Sequence, residues 1–151
     1  MIHIQVNETY WSSVKSADLR KAARIAASVA GLSEDADFTI VITDDPQVRS
    51  LNKEFRKIDA TTDVLSFPSM DEDPDTGKRY HGDIIISQPR AALQAEKAGH
   101  SIMDELCLLV VHGTLHLAGH DHAGEDEKEL MFALQREALN RMDIHIKGFS
   151  S

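Results

Sequence analysis

The chain has 151 residues, 42% of them hydrophobic, and this size favours one globular domain, residues 1–151, with a proper core. The net charge of −9 argues against a protein that coats nucleic acid by bulk electrostatics, although it leaves room for a local basic groove. No apolar run could span a membrane, the first residues do not resemble a signal peptide, and the single Cys107 excludes an internal disulfide, so we expect a cytoplasmic protein.

Strand and helix patterns alternate along the chain. Alternating apolar residues predict a strand over 2–6, and β-branched residues predict a more buried strand over 37–43. Further strands are expected within 61–68 and over 82–87, the latter central because its middle is apolar throughout. Helices are predicted over 16–30, from 45 to about 56, over 89–99, over about 102–118 and over 125–142. The interleaving predicts an α/β fold, a single compact domain with a mixed four-stranded sheet packed with helices.

Local signals also predict which side chains cap these helices and which face the core. Ser16 and Asp45 are the expected N-caps of the first two helices, and residues 69–80 are an expected acidic loop. The expected interior stripes are Leu19, Ala22, Ala23, Ala26 and Val29 in the first helix, Val48, Leu51 and Phe55 in the second, and Leu130, Met131, Leu134 and Ala138 in the last.

Four histidines lie within residues 112–122, directly after an apolar run that predicts a central helix. His112 and His116 are four residues apart and would share one face of that helix. Gly119 can end the helix in a left-handed conformation, after which His122 can fold back toward the pair. Three imidazoles with an open position are typical of a catalytic metal site. We expect zinc, although nickel from purification could occupy the same ligands.

The same residues fit the zinc-protease pattern H-E-x-x-H-x-x-G-x-x-H except at its second position. Gly113 stands there in place of the glutamate that acts as general base in such proteases. The sequence thus predicts a central metal-binding helix with metzincin-like histidine geometry, and open space beside the metal at Gly113. Glu105 lies two helical turns before His112, about 10 Å along the axis, too far to replace the missing base.

The neighbouring polar residues leave several roles open. His120 could replace His122 as a ligand, although a solvated loop position is favoured for it. Asp121 could orient a ligand imidazole, handle protons or simply form a turn. Asp121, His120 and Asp63 are the candidates for a general acid or base.

Basic residues form a cluster over 49–57, comprising Arg49, Lys53, Arg56 and Lys57. Two further clusters, over 20–24 and 78–79, are interpreted as solvated surface. A solvated surface is not favoured for the cluster at 49–57, although Arg56 taken by itself is interpreted as a surface arginine that stabilises the carboxyl end of its helix through the dipole.

Four segments resemble, in order and separation, the signatures of the YbeY endoribonuclease family. They are LNKEFR at 51–56, TDVLSFP at 62–68, GDIIIS at 82–87 and HGTLHLAGHDH at 112–122. The resemblance implies a zinc-dependent, single-strand-specific endoribonuclease of rRNA maturation and ribosome quality control in the bacterial cytoplasm, acting on rRNA and ribosomal particles. It also implies His112, His116 and His122 as ligands and a functional arginine at Arg56.

Two other functions remain open at this point. The chain could be a zinc-dependent, peptidase-like hydrolase whose carboxylate comes from elsewhere. It could also be a non-enzymatic ribosome assembly factor with a structural metal, for which Asp121 would be a fourth ligand. We expect a monomer that does not associate with membranes.

Overall fold

A mixed four-stranded sheet forms the middle of the computed structural model, which describes residues 1–121 and 123–146. Its strands are β1 (Ile2–Val6), β2 (Asp37–Thr43), β3 (Val64–Pro68) and β4 (Tyr80–Ser87), in the order β1-β2-β4-β3. β1, β2 and β4 are parallel, whereas β3 pairs antiparallel with β4 at one edge. The predicted mixed sheet and the central position of β4 are confirmed.

The described chain has five α-helices, of which the last packs on two other helices rather than on the sheet. They are α1 (Ser16–Val29), α2 (Asp45–Arg56), α3 (Gln88–Ala98), α4 (Ile102–Leu117) and α5 (Glu125–Arg141), and a 3-10 turn covers Glu8–Tyr10. Within the described ranges, no helix has both the length and the apolar character needed to cross a membrane. The predicted single compact α/β domain is confirmed.

The two faces of the sheet are packed differently. Phe38, Ile40 and Ile84 belong to the main core, which they share with α1 and α4. On the other face, Leu65 and Ile85 pack with Val48 of α2 in a smaller core. A third cluster joins α4 to α1 and α5. Helix α4 is therefore central, as its apolar sequence predicts.

Two predicted interior residues are exposed instead. Phe55 is 61% exposed and Leu130 is 51% exposed. Asn52 in α2 and Gln135 in α5 are buried. The Asn52 amide nitrogen donates to the carbonyl of Ala60 at 2.9 Å, so at this turn of α2 the inward side chain is Asn52 and Phe55 lies outside the core.

The N-caps of α1 and α2 each lie one residue before the predicted position. Lys15, with no side-chain cap bond, precedes α1, so Ser16 is already helical. Asp44 caps α2 by accepting from the Gln47 N–H at 2.9 Å. Asp45 instead accepts hydrogen bonds from Ser87 and Thr61, and so ties α2 to its surroundings.

Candidate metal centre

Helix α4 carries the histidine motif and begins and ends as predicted. Ser101 caps its amino end by accepting the backbone N–H three residues on, at 3.1 Å. At the other end, Gly119 has a φ of 97°. The N–H groups of Gly119 and His120 donate to the carbonyls of His116 and Leu115, each at 3.0 Å. This is a Schellman motif, so the predicted stop at Gly119 is confirmed.

His112 and His116 face each other at the carboxyl end of α4. Their Nε2 atoms are 3.0 Å apart, and their ring planes meet at 72°. One zinc bound to both at about 2.0–2.1 Å in a tetrahedral site would separate these atoms by about 3.3 Å. A shift of a few tenths of an ångström would therefore admit the ion, and the two imidazoles fit zinc as donors.

Gln135 of α5 fixes the other side of the His112 ring. The His112 Nδ1–H donates to Gln135 Oε1 at 2.7 Å. With the proton on Nδ1, the Nε2 lone pair points toward His116, which is the tautomer that a metal requires. Gln135 is only 1% exposed, so this contact is shielded from water.

Gln135 is not among the site residues predicted from the sequence. A signal was nonetheless available, because Gln135 is four residues after Met131 and three before Ala138, on the same helical face. A glutamine between buried apolar positions indicates a polar partner in the core.

The predicted third ligand, His122, lies outside the described residues. Among residues 1–121 and 123–146, no three histidine, cysteine, aspartate or glutamate side chains come together as a metal site. The described part of the centre is thus the His112–His116 pair with Gln135. Asp121 is exposed just beyond the turn at Gly119, and His120 is partly buried within that turn.

The open space predicted beside Gly113 is absent. Gly113 is buried and points at the sheet, where an added Cβ would lie 2.6 Å from Ile84 Cγ2. The missing side chain lets α4 approach β4 closely, so packing accounts for this glycine. The expectation of vacant room at the glutamate position of the protease pattern was wrong.

Arg56 lies at the edge of the sheet, beside strand β3. Its Nη2 donates to the carbonyl of Ser66 in edge strand β3 at 2.8 Å, and its guanidinium lies 5.7 Å from the centre of the Phe67 ring. The Ser66 hydroxyl donates in turn to the carbonyl of Gly113 at 3.4 Å. Two contacts therefore connect Arg56 with the residue after His112.

Three other residues discussed from the sequence, Glu105, Asp63 and Cys107, have contacts away from the histidine pair. Glu105 is buried and 2.6 Å from His100; burial raises its pKa, and the bond to His100 opposes that rise. Asp63 precedes β3, and its carboxylate accepts hydrogen bonds from the Val64 N–H at 2.8 Å and the Thr62 hydroxyl at 3.2 Å. Burial raises the pKa of the Cys107 thiol to about 12, consistent with its interpretation as a small core residue.

Comparison with known proteins shows the family of this chain. A model of the family described as endoribonuclease YbeY matches residues 3–143. The chain belongs to the YbeY endoribonuclease family. A relative of that name from Bacillus licheniformis is 41% identical over 136 residues, covering 85% of each chain. Another from Pelotomaculum thermopropionicum is 39% identical over 129 residues, covering 83% of this chain and 85% of the relative.

A solved structure is similar as well. The solution structure of a Thermotoga maritima protein matches with a TM-score of 0.61 and 26% identity, covering 95% of this chain and 92% of that one. The YbeY match spans α2, β3 and α4, which together carry Arg56, His112 and His116. The resemblance seen in the sequence is confirmed.

Proposed function

We propose that this member of the YbeY family is a zinc-dependent endoribonuclease that hydrolyses phosphodiester bonds of single-stranded RNA. We further propose that it acts as a cytoplasmic monomer in rRNA maturation and ribosome quality control, with rRNA and ribosomal particles as partners. The relatives bear the name endoribonuclease, and this supports a hydrolase acting on RNA.

The facing Nε2 atoms of His112 and His116, 3.0 Å apart, are the observation that carries the zinc proposal. His112 and His116 would hold the ion together with His122, in metzincin-like geometry, while Gln135 keeps His112 in the binding tautomer. When bound, zinc supplies Lewis acidity toward a phosphoryl oxygen and makes water a better nucleophile at neutral pH.

Arg56 is proposed to bind the scissile phosphate. Its bond to Ser66 and the Phe67 ring position the guanidinium beside β3, the strand whose Ser66 contacts α4. A guanidinium can hold two phosphate oxygens and stabilise the charge that builds up on them. Asp121, exposed after the turn of α4, is the proposed proton-handling residue.

The structure disfavours the peptidase alternative. The glutamate position of the protease pattern holds Gly113, whose Cα faces Ile84. Glu105, the nearest carboxylate before the motif on α4, is engaged by His100. A peptidase would thus need its base from another part of the chain.

Cleavage of an end-labelled single-stranded RNA tests the proposal. Protein stripped by a chelator should be inactive, and zinc should restore it. Arg56→Ala should keep its zinc and its melting temperature but cleave at least about tenfold more slowly, equivalent to about 1.4 kcal/mol of transition-state binding. Arg56→Lys should restore little, because an ammonium cannot make the bidentate contact.

Arg49→Ala is the matched control, since Arg49 lies on the same helix and pairs with Asp59 at 2.7 Å. It should cleave at nearly the wild-type rate. An Arg56→Ala protein as active as wild type would refute the phosphate-binding role. Zinc-loaded wild type that leaves RNA intact would favour the assembly-factor alternative, and cleavage of casein instead would favour the peptidase.

A further inference from the structure

An exposed aromatic ring lies among cations at the end of α2. Phe55 is 61% exposed, although it is a large apolar side chain on a helix that buries Val48 and Asn52. Phe67, from the adjacent edge strand β3, lies beside it and is partly buried. An exposed phenyl ring of this kind is available to a binding partner.

The two rings and the Arg56 guanidinium form one platform. The ring centroids of Phe55 and Phe67 are 5.6 Å apart, with an interplanar angle of 63°. Arg56 lies 5.7 Å from the centre of the Phe67 ring and is tied to the Ser66 carbonyl. Because β3 fixes Phe67 and Ser66, the two rings have a defined position beside Arg56, the proposed phosphate-binding group.

The charge around this platform is opposite to that of the whole molecule. Residues 49–57 include four cations and one anion, in a chain of net charge −9. Arg49 pairs with Asp59, while Lys53 and Lys57 are exposed on either side of Phe55 in the sequence. An aromatic ring flanked by cations is the combination by which proteins bind single-stranded nucleic acid, the ring stacking on a base and the cations holding phosphates.

We propose that Phe55, supported by Phe67, stacks on an unpaired base of the RNA strand, and that Lys53 and Lys57 bind the phosphates next to it. The stacked base would belong to a nucleotide near the one whose phosphate Arg56 binds. This rests on the proposed function and adds to it a reason for single-strand preference, because a base paired within a duplex does not offer its face to Phe55.

Binding to two oligodeoxynucleotides of equal length, one with bases and one fully abasic, tests the stacking. Neither strand has 2′-hydroxyls, and both carry the same charge. Phe55→Ala in the zinc-loaded protein should weaken binding to the strand with bases by roughly fivefold to a hundredfold, and leave the abasic strand unaffected. Phe55→Trp should bind at least as tightly as wild type.

Two further variants separate stacking from charge and from general loss of apolar surface. Lys53→Ala should weaken binding to both strands equally and lower the salt dependence of that binding. Leu93→Ala, which removes a 49% exposed apolar side chain from α3, should change neither. The proposal would be overturned if Phe55→Ala lost affinity equally for both strands, or if its affinity for both strands were unchanged. It would also be overturned if wild type bound neither strand.

The outcomes also distinguish this proposal from the proposed nuclease function. RNA cleavage by wild type, with Phe55→Ala binding normally, would refute the stacking alone. Base-dependent binding that requires Phe55, without any RNA cleavage, would refute the nuclease and retain the stacking surface.

Discussion

Helix α4 has a histidine contact near each end, and the two contacts are built differently. Near the amino end, His100 meets Glu105 at 2.6 Å, with side chains only 10% and 6% exposed. At the carboxyl end, His112 and His116 turn the same atom, Nε2, toward each other at 3.0 Å, and Gln135 holds the far side of His112.

The difference separates a folding contact from a binding site. An imidazole and a carboxylate are complementary as donor and acceptor, so the pair at the amino end is complete in itself. Two imidazole nitrogens of the same kind attract each other through a cation or proton that they share. Substitutions at the amino end should therefore change stability, and those at the carboxyl end should change metal binding.

The largest effect is expected from His100→Ala. Removing one partner leaves the Glu105 carboxylate buried, which destabilises a protein by about 3–5 kcal/mol, while zinc content should not change. Urea unfolding and metal analysis measure the two quantities. His3→Ala is the control, because its pair with Asp37 is 44% and 36% exposed and should contribute no more than about 1 kcal/mol. If both variants lost the same free energy of unfolding, the buried pair of His100 and Glu105 would not be a folding contact.

The free energy of unfolding of His100→Ala should change with pH in a defined direction. Burial already raises the pKa of Glu105, and the bond to His100 opposes the rise. Without His100 the folded state binds the Glu105 proton more tightly than the unfolded state does. Stability then falls as pH rises through the folded pKa, so the deficit of His100→Ala should grow from acidic to neutral pH.

The next largest loss in the free energy of unfolding is expected from Gly113→Ala, which tests the close approach of α4 to β4. Its methyl group would meet Ile84 Cγ2 at 2.6 Å, and overpacking of this kind destabilises by about 1–3 kcal/mol. Ile84→Ala should be less harmful in the Gly113→Ala background than in wild type, and a double-mutant cycle of unfolding free energies measures this coupling. Additive losses would refute the packing role. Gly113→Glu should lower RNA cleavage without creating a peptidase.

The last effect is expected from Gln135→Leu at the carboxyl end of α4, and it concerns zinc affinity rather than the free energy of unfolding. Losing the bond to Nδ1 should weaken zinc binding by about tenfold to a hundredfold with the fold intact. Competition with a chelator measures this, and Gln135→Glu should retain affinity because a carboxylate also accepts from Nδ1. Gln88→Leu, at another buried glutamine, is the control. If Gln135→Leu bound zinc with unchanged affinity, Gln135 would have no role in zinc binding.

Local signals explain which features could be predicted from the sequence. Ser101 and Gly119 define the ends of α4 through hydrogen bonds within a few residues, and the spacing of His112 and His116 follows from the helix itself. The sheet could be predicted because β2 and β4 are apolar enough to be recognised as central strands.

The remaining features depend on contacts between distant parts of the chain. In α2 the buried side chain is Asn52, whose amide nitrogen donates to the carbonyl of Ala60 eight residues on, and Phe55 is exposed. The role of Gly113 depends on Ile84, and that of Gln135 on His112, 23 residues away. Helical periodicity gives only the approximate face of a helix, and the residue that is buried there depends on partners elsewhere in the chain.

Zinc content of the purified chain tests the central claim most directly. Wild type, His3→Ala and His116→Ala would be loaded with zinc, dialysed against metal-free buffer and measured by metal analysis, with circular dichroism to verify folding. We predict about one tightly held zinc per chain in wild type and in His3→Ala, and little in a folded His116→Ala protein. Full retention of zinc in His116→Ala, or none in wild type, would contradict it.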